Sequence, residues 1–299
     1  MFLNFIFALF LSPFLFGIIN RVKALFAGRQ GQPIFQLYYD LGKLLQKGAV
    51  YSQTTTWLFR AGPMISLAAF LMAMTLVPCL RYPSLFAFDG DLVLFIYLLA
   101  LARFFTVLAA LDTGSSFEGM GASREVQFAV LAEPAFFLSL IVLARQTGQI
   151  SLSGIYSQIT LETWKMAGPI LALAAGTLLI IFLAENSRMP IDDPNTHLEL
   201  TMIHEVMVLD HGGVDLAFIF YGAALKFWLL GSLLVSLLLP FQSGNLFFDM
   251  MIFFAGMIFL AIVVGVIESI MARLRFLKVP HLLVGALSLS IVALFFQMR

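Results

Sequence analysis

Residues 216–239 read LAFIFYGAALKFWLLGSLLVSLLL, an unbroken apolar run that contains a single charged residue, Lys226. A helix needs ~20 mostly apolar residues to cross the ~30 Å hydrocarbon core of a bilayer. This run is therefore long enough to span a membrane. Lys226 lies near its middle, where the ammonium group cannot easily reach the headgroups. The stretch predicts a transmembrane helix that carries a charge inside the membrane.

Seven further apolar runs of similar length occur along the chain. They cover residues 2–20, 61–80, 92–111, 126–144, 166–184, 250–270 and 282–298. Of the 299 residues, 61% are hydrophobic and 11% are charged, which excludes an ordinary soluble domain and a disordered chain. Because the runs do not alternate apolar and polar residues, they are not barrel strands. The sequence predicts an all-α integral membrane protein with about eight transmembrane helices in one polytopic domain, 1–299.

The balance of charged residues and the cysteine content limit the chemistry of the chain. There are 17 basic and 17 acidic residues, so the chain lacks the basic excess typical of nucleic-acid binders. Cys79 is the only cysteine. A cysteine-ligated iron–sulfur cluster takes about four thiolates, so we expect any redox centre to reside in another chain.

The distribution of Lys and Arg predicts the orientation. The loops on one side of the membrane cover 21–60, 112–125, 185–215 and 271–281. They contain eleven Lys and Arg residues, whereas the loops and terminus on the other side contain four. Positive residues favour the cytoplasm, so both termini are expected to face outward. Within the first cytoplasmic loop, Pro33–Lys47 has leucines at helical spacing and predicts an amphipathic interfacial helix.

Loop 185–215 is acidic and contains three of the four histidines. Those histidines are seven residues apart, about 10 Å along a helix, so one zinc ion could not join them. The loop is expected to dock a partner or exchange protons, and a merely solvated acidic loop is the alternative. The docking candidates are Arg188, Asp192, Asp193, His197, His204 and Asp210.

Four ionisable residues fall inside the apolar runs: Arg103, Glu133, Lys226 and Glu268. A charge at bilayer depth is costly, so each one predicts either a function or a pairing between helices. Glu133 precedes Pro134, which is expected to kink the helix, and a proton or ion relay is predicted at Glu133 and Lys226.

Candidate partners follow from proximity along the sequence. Glu133 is a candidate partner for Lys226. Asp112 and Glu118 are candidates for Arg103. Glu268 has Arg275 two turns further on. For Arg103 and Glu268, structural pairing is the favoured interpretation.

Two segments resemble a known family. They are Ala184–Gly212, which begins AENSRMPIDDPNTHLEL, and LDTGSSFEGMGASRE at Leu111–Glu125, followed by Glu133–Pro134. Both resemble the membrane subunit of group 4 [NiFe]-hydrogenases and formate hydrogenlyase. That family is similar to the quinone-site membrane subunit of respiratory complex I, whose loop usually reads A-E-x-N-R-x-P-F-D. The continuation Asp193–Glu205 fits the hydrogenase branch better, and the departure from the complex I pattern at Ile191–Asp193 weakens the case for quinone binding.

The resemblance implies a non-catalytic subunit in the plasma membrane of a prokaryote. Such a subunit anchors the hydrogenase large and small subunits, meets an iron–sulfur subunit and adjoins antiporter-like membrane subunits. The NiFe centre and iron–sulfur clusters are expected in those partners, with no cofactor in this chain. The resemblance implies coupling roles for Glu133, Glu185 and Glu199. Together with the residues singled out from the sequence itself, the candidate coupling residues are Glu133, Lys226, Glu185, Glu199, Glu205, Arg103 and Glu268. A quinone-site subunit of a complex I-like enzyme and a stand-alone ion transporter are the alternatives, and the coupled ion stays open between H⁺ and Na⁺.

Overall fold

The computed structural model describes residues 2–192 and 202–298, and those ranges consist of helices and connecting loops without a β-strand. Eight helices there are long and apolar enough to cross a membrane. They are α1 (Phe2–Phe26), α3 (Trp57–Leu76), α4 (Asp91–Asp112), α5 (Ser116–Thr147), α7 (Leu161–Glu185), α8 (Gly213–Leu238), α9 (Leu246–Ile270) and α10 (Val279–Met298). The predicted all-α membrane fold with eight spans is confirmed. The even number puts both chain ends on one side, and which side stays a prediction.

Two short helices complete the set in the described residues, α2 (Gln36–Leu45) and α6 (Leu152–Gln158). Helix α2 forms where the leucine spacing predicted a helix. It contains no buried residue and packs against α1 and α8. Its one-sided apolar face fits a position at the membrane surface, which remains a prediction.

Helix α8 lies at the centre of the bundle and contacts α1, α2, α3, α7 and α9. Trp228 and Phe227 on this helix are fully buried, and the Phe227 ring packs edge-on against Phe182 of α7 at 4.9 Å between centroids. Lipid tails are as apolar as these side chains, so the hydrophobic effect does not drive this packing. Close van der Waals contact between the helices stabilises it instead. The central position of α8 holds Lys226 inside the protein rather than in lipid.

Helix α5 begins at Ser116, ten residues before the run that hydropathy detects at 126–144. Its first turns contain Glu118 and Glu125, both buried. Hydropathy marks only the part of a helix that meets hydrocarbon, so this polar extension escaped it. The helix continues through Pro134, whereas α7 leaves helical backbone angles at Ala167, near Pro169.

At the predicted outward end of the bundle, buried acids form hydrogen bonds with the connecting loops. Asp91, the first residue of α4, accepts hydrogen bonds from the Ser151 hydroxyl (2.8 Å) and the Leu152 amide (2.6 Å). Asp249 of α9 accepts from the Tyr82 hydroxyl at 2.7 Å. These carboxylates tie connecting loops to helix ends and lie apart from the ionic groups described next.

Candidate functional site

Arg103 is the centre of a buried ionic group. It projects from α4, and its side chain is only 10% exposed. Its Nε donates to Glu125 Oε1 at 3.1 Å, and its two terminal nitrogens donate to Glu133 and Glu185. Glu125 and Glu133 are eight residues apart on α5, a spacing that returns to the same helix face, and Glu185 ends α7. One guanidinium therefore joins three helices.

Glu185 also binds a second cation. Its Oε2 lies 2.7 Å from Lys226 Nζ, which reaches it from α8. Glu185 is buried and its carboxylate is shared between Arg103 and Lys226. We call the five side chains the central cluster: Arg103, Glu125, Glu133, Glu185 and Lys226.

The central cluster contains one more acid than it has bases. With every group ionised, two cations face three carboxylates and the net charge is −1. Charges removed from water are stable only when they are paired, so an excess charge here is unfavourable. One added proton makes the central cluster neutral.

His204 lies at the edge of the central cluster nearest the loop. Its Nδ1 is 3.3 Å from Glu125 Oε2, and its side chain is 32% exposed. A cavity of about 20 Å³ lies between His204, Glu125, Arg103, Glu185 and Asp192. A cavity of roughly 10–15 Å³ is enough to hold one water molecule. This cavity therefore has room for a single water among polar partners.

A second ionic group, which we call the lateral triad, joins Lys23, Arg188 and Glu268. Glu268 lies 3.2 Å from Arg188 Nη1 and 2.9 Å from Lys23 Nζ. The Arg188 guanidinium also stacks over the Phe16 ring at 4.4 Å, a cation–π contact. The lateral triad fixes the start of the loop that follows α7 to α1 and α9.

Asp192 holds the two described ends of this loop together. Its Oδ2 accepts from the amides of Ile203 and His204, both at 3.3 Å, and its Oδ1 binds Arg273 at 2.7 Å. Arg124 adds a 2.9 Å hydrogen bond to the Met202 carbonyl. These contacts fix the backbone that carries His204.

Beyond a 3₁₀ helix at Glu205–Val208, the loop ends against α3 and α5. The amide of Asp210 donates to Glu118 Oε1 at 3.1 Å. The His211 ring stacks on Phe59, with centroids 3.9 Å apart and planes within 5°. Burial lowers the pKa of His211 to about 4, because the protonated ring would lose its hydration.

The predicted partners inside the membrane were wrong in three cases. Lys226 pairs with Glu185 rather than Glu133. Arg103 pairs with carboxylates of α5 and α7 rather than with Asp112 or Glu118. Asp112 instead accepts hydrogen bonds from the amide and hydroxyl of Thr56, and Glu118 accepts one from the Asp210 amide.

The third case is Glu268, which binds Lys23 and Arg188 rather than Arg275. Partners were sought among sequence neighbours, whereas the bundle brings distant helices together. Glu205 begins the 3₁₀ helix and is half-buried. Asp193, His197 and Glu199 lie outside the described residues.

Glu125 and Lys23 were missed as members of these ionic groups. Both had been assigned to cytoplasmic loops because hydropathy ended the spans too early. The eight-residue spacing of Glu125 and Glu133 was the available signal. In the described ranges, 2–192 and 202–298, no group of three His, Cys, Asp or Glu side chains is arranged to hold a metal ion.

Known proteins are similar to this chain in sequence or in fold. The chain is 32% identical over 292 residues to Hydrogenase-4 component C of Escherichia coli (strain K12), covering 95% of this chain and 91% of that protein. It is 30% identical over 278 residues to Formate hydrogenlyase subunit 4 of the same organism, covering 91% and 89%.

A solved structure of the membrane-bound sulfane sulfur reductase, an archaeal respiratory membrane complex, contains a chain of the same fold. The TM-score is 0.83 at 20% identity, with 98% of this chain and 96% of that chain covered. Residues 1–298 match the family model described as NADH dehydrogenase. The chain is thus a multi-pass protein of the prokaryotic plasma membrane, and it belongs to the NADH dehydrogenase family.

Proposed function

We propose that this chain is the membrane-anchoring and ion-coupling subunit of an energy-converting [NiFe]-hydrogenase complex. The observation that carries the proposal is the central cluster, a buried ionic group at the base of a loop that is itself held by ion pairs. The similarity to hydrogenase-4 and formate hydrogenlyase subunits supports the hydrogenase assignment.

The docking surface in this proposal is the face formed by the loop after α7 and its neighbours. It would meet the iron–sulfur subunit and, through it, the hydrogenase large and small subunits. The NiFe centre and the clusters belong to those partners. The side chains of Arg188 and Asp192 and the backbone amides of His204 and Asp210 are bound to neighbouring elements, so a docked partner would meet a preformed surface in the described part of this face.

Coupling in this proposal is electrostatic. At the effective dielectric constant of ~20 found near protein surfaces, a unit charge about 4 Å from a carboxylate changes the energy of the ionised carboxylate by about 4 kcal/mol. That corresponds to about a thousandfold in proton affinity. A redox step that moves the loop relative to Glu125 would therefore load or release a proton in the central cluster.

The exit from the central cluster is assigned to Glu133. Its side chain is 42% exposed on the surface of this chain, although it lies well inside α5. An ionisable group cannot face lipid cheaply, so we infer that a neighbouring membrane subunit of the antiporter-like class covers it. Protons would pass to that neighbour.

The anchoring part is tested by purifying the tagged chain in mild detergent and measuring metals in the material that accompanies it. Nickel and iron together are the expected result, and deleting the gene for this chain should release hydrogenase from the membrane. Iron without nickel, together with quinone reductase activity, would move the chain to the quinone-site alternative. Absence of both metals would favour a stand-alone transporter.

The coupling part is tested with Glu133→Gln in the whole complex, reconstituted in sealed liposomes. We expect proton movement per H₂ to fall about a hundredfold, the scale for loss of one positioned proton donor, while assembly persists. Glu162→Gln, at an exposed position in the first turn of α7, is the matched control. Wild-type pumping in Glu133→Gln would contradict the proposed exit.

A further inference from the structure

His204 lies between the central cluster and the loop-side surface. Its imidazole contacts Glu125 on one side and is one-third exposed on the other. Glu133 is exposed too, but it lies eight residues further along α5, about 12 Å deeper. Arg103, Glu125, Glu185 and Lys226 are almost fully enclosed. His204 is therefore the titratable contact between the central cluster and the loop-side surface.

The imidazole is held in place by its own backbone. The His204 amide donates to Asp192, which Arg273 holds in turn, and Arg124 secures the preceding residue, Met202. Gly121 of α5 lets this segment approach closely, since a Cβ there would lie 2.9 Å from the Ile203 carbonyl oxygen. A backbone fixed in this way keeps the ring next to one carboxylate, as repeated proton transfer requires.

The charged groups around His204 determine what a proton at this position would do to the central cluster. The groups facing His204 are Glu125 from α5, Arg103 from α4 behind it, and the Asp192–Arg273 pair; Glu205 is the next residue along. The central cluster has a net charge of −1, so an imidazolium at its edge makes three cations face three carboxylates. A proton shared between His204 and Glu125 therefore offsets the excess negative charge.

The cavity next to His204 would extend a proton path beyond the His204–Glu125 contact. It reaches from His204 to Glu185 and Arg103, past Glu125, and has room for one water molecule. A water there would have carboxylate acceptors and guanidinium or imidazole donors within its walls. It would connect Glu125 to Glu185 without movement of either side chain.

We propose that His204 is the residue through which protons enter the central cluster, with one water bound in the adjacent cavity completing the path to Glu185. This rests on the proposed coupling function. The imidazolium gives its Nδ1 proton to the Glu125 carboxylate, which leaves a neutral ring with its remaining proton on Nε2. Exchange with water converts this ring to the Nδ1–H tautomer, and Nε2 then accepts the next proton from water at the loop-side surface. One proton enters for each cycle, and no other bond changes.

The test uses the whole complex in sealed liposomes, driven by reduced methyl viologen, with internal pH and H₂ followed together. His204→Ala is expected to slow proton movement about a hundredfold while viologen-driven H₂ evolution in detergent is retained. Added imidazole should restore proton movement. The rescue by imidazole, 4-methylimidazole and 1,2,4-triazole should follow their basicity, an ordering that a purely structural role would not produce.

His281→Ala is the matched control. His281 lies near the start of α10, exposed, with Nδ1 3.0 Å from the Leu277 carbonyl, and takes no part in the central cluster. If His204→Ala does not assemble, His204→Gln answers the same question, because it keeps a hydrogen-bonding side chain that cannot carry the proton. Loss of pumping in His204→Gln supports the proposal, and wild-type pumping overturns it.

Comparison with Glu133→Gln separates the two proposals. If Glu133→Gln stops pumping and His204→Ala pumps normally, the entry residue is wrong and the coupling function stands. If both variants pump normally, the coupling function itself fails. A loss in assembled His204→Ala complexes that none of the bases restores also overturns the assignment of His204.

Discussion

Each side chain of the central cluster depends on the protonation of the others. Arg103 cannot release its proton, so it is a fixed charge around which three carboxylates are arranged. Lys226 offsets a second negative charge through Glu185. With Arg103 and Lys226 counted, the third negative charge of the central cluster is not balanced by a further cation. At the residue scale, this imbalance distinguishes a group that can gain a proton from a set of closed salt bridges.

His211 provides a test of stability against pH at the same scale. Its pKa falls from 6.5 to about 4 in the folded chain. Above pH 6.5 the ring is neutral in both states and has no effect. Between pH 6.5 and 4 the unfolded chain binds a proton that the folded chain excludes. Stability should therefore decrease by up to about 3 kcal/mol as the pH falls through this window.

Unfolding of the purified chain in detergent, measured at pH 7 and pH 4.5, checks this expectation. His211→Phe keeps a ring against Phe59 but cannot be protonated, so it should lose less stability at the lower pH. His281→Phe changes an exposed histidine and should follow the wild type. An identical pH dependence in His211→Phe and wild type would contradict the assignment.

At the scale of elements, α5 joins the membrane bundle to the loop after α7. Its first third packs against the 3₁₀ helix and carries Glu125, and its middle carries Glu133. Gly121 is the point of closest approach: a Cβ there would lie 2.3 Å from a Val206 methyl carbon. Whatever displaces the loop therefore acts directly on the helix that holds two carboxylates of the central cluster.

Gly121→Ala should separate the 3₁₀ helix from α5. Overpacking of this kind costs about 1–3 kcal/mol. Hydrogen exchange in residues 202–209, followed by mass spectrometry, should become faster. Gly119→Ala is the matched control, because a Cβ at Gly119 meets nothing within 4 Å while the gain in helix propensity is the same. Equal exchange rates in the two variants would show that the contact at Gly121 is unimportant.

The sequence predicted the elements better than their partners. Hydropathy and the spacing of leucines are local properties, so the first located all eight spans and the second located α2. The partner of Lys226 depends on which helix lies beside α8, and nothing local to Lys226 records that. Glu185 was identified through the family resemblance and not from its position at the end of α7. The polar start of α5 was lost because it is helical without being apolar.

At the scale of the whole molecule, the orientation in the membrane follows from the Lys and Arg distribution and has a direct test. Cys79 is buried, and burial raises the pKa of its thiol, so the wild-type chain should react poorly with maleimides. Asp89 and Lys278 are exposed at opposite ends of the bundle and accept single cysteines.

In intact cells, a membrane-impermeant maleimide should label Asp89→Cys and leave Lys278→Cys unlabelled. Breaking the cells should make Lys278→Cys reactive. Each variant serves as the control for the other, because both carry one accessible thiol. The reverse pattern would place the loop after α7 outside the cell and exclude docking of a cytoplasmic hydrogenase.

The exposed edge of Glu133 also bears on how the cell makes this protein. A chain synthesised without its neighbour would present a carboxylate to hydrocarbon, at a cost of ~2.5–3.5 kcal/mol for an acid near a helix centre. Under the proposed function, a neighbouring subunit that covers the site would remove this cost. Surplus copies would then be the least stable, and membrane proteases would remove them first. The partly exposed side chain of Glu133 would in this way match the amount of this chain to the amount of its neighbouring subunit.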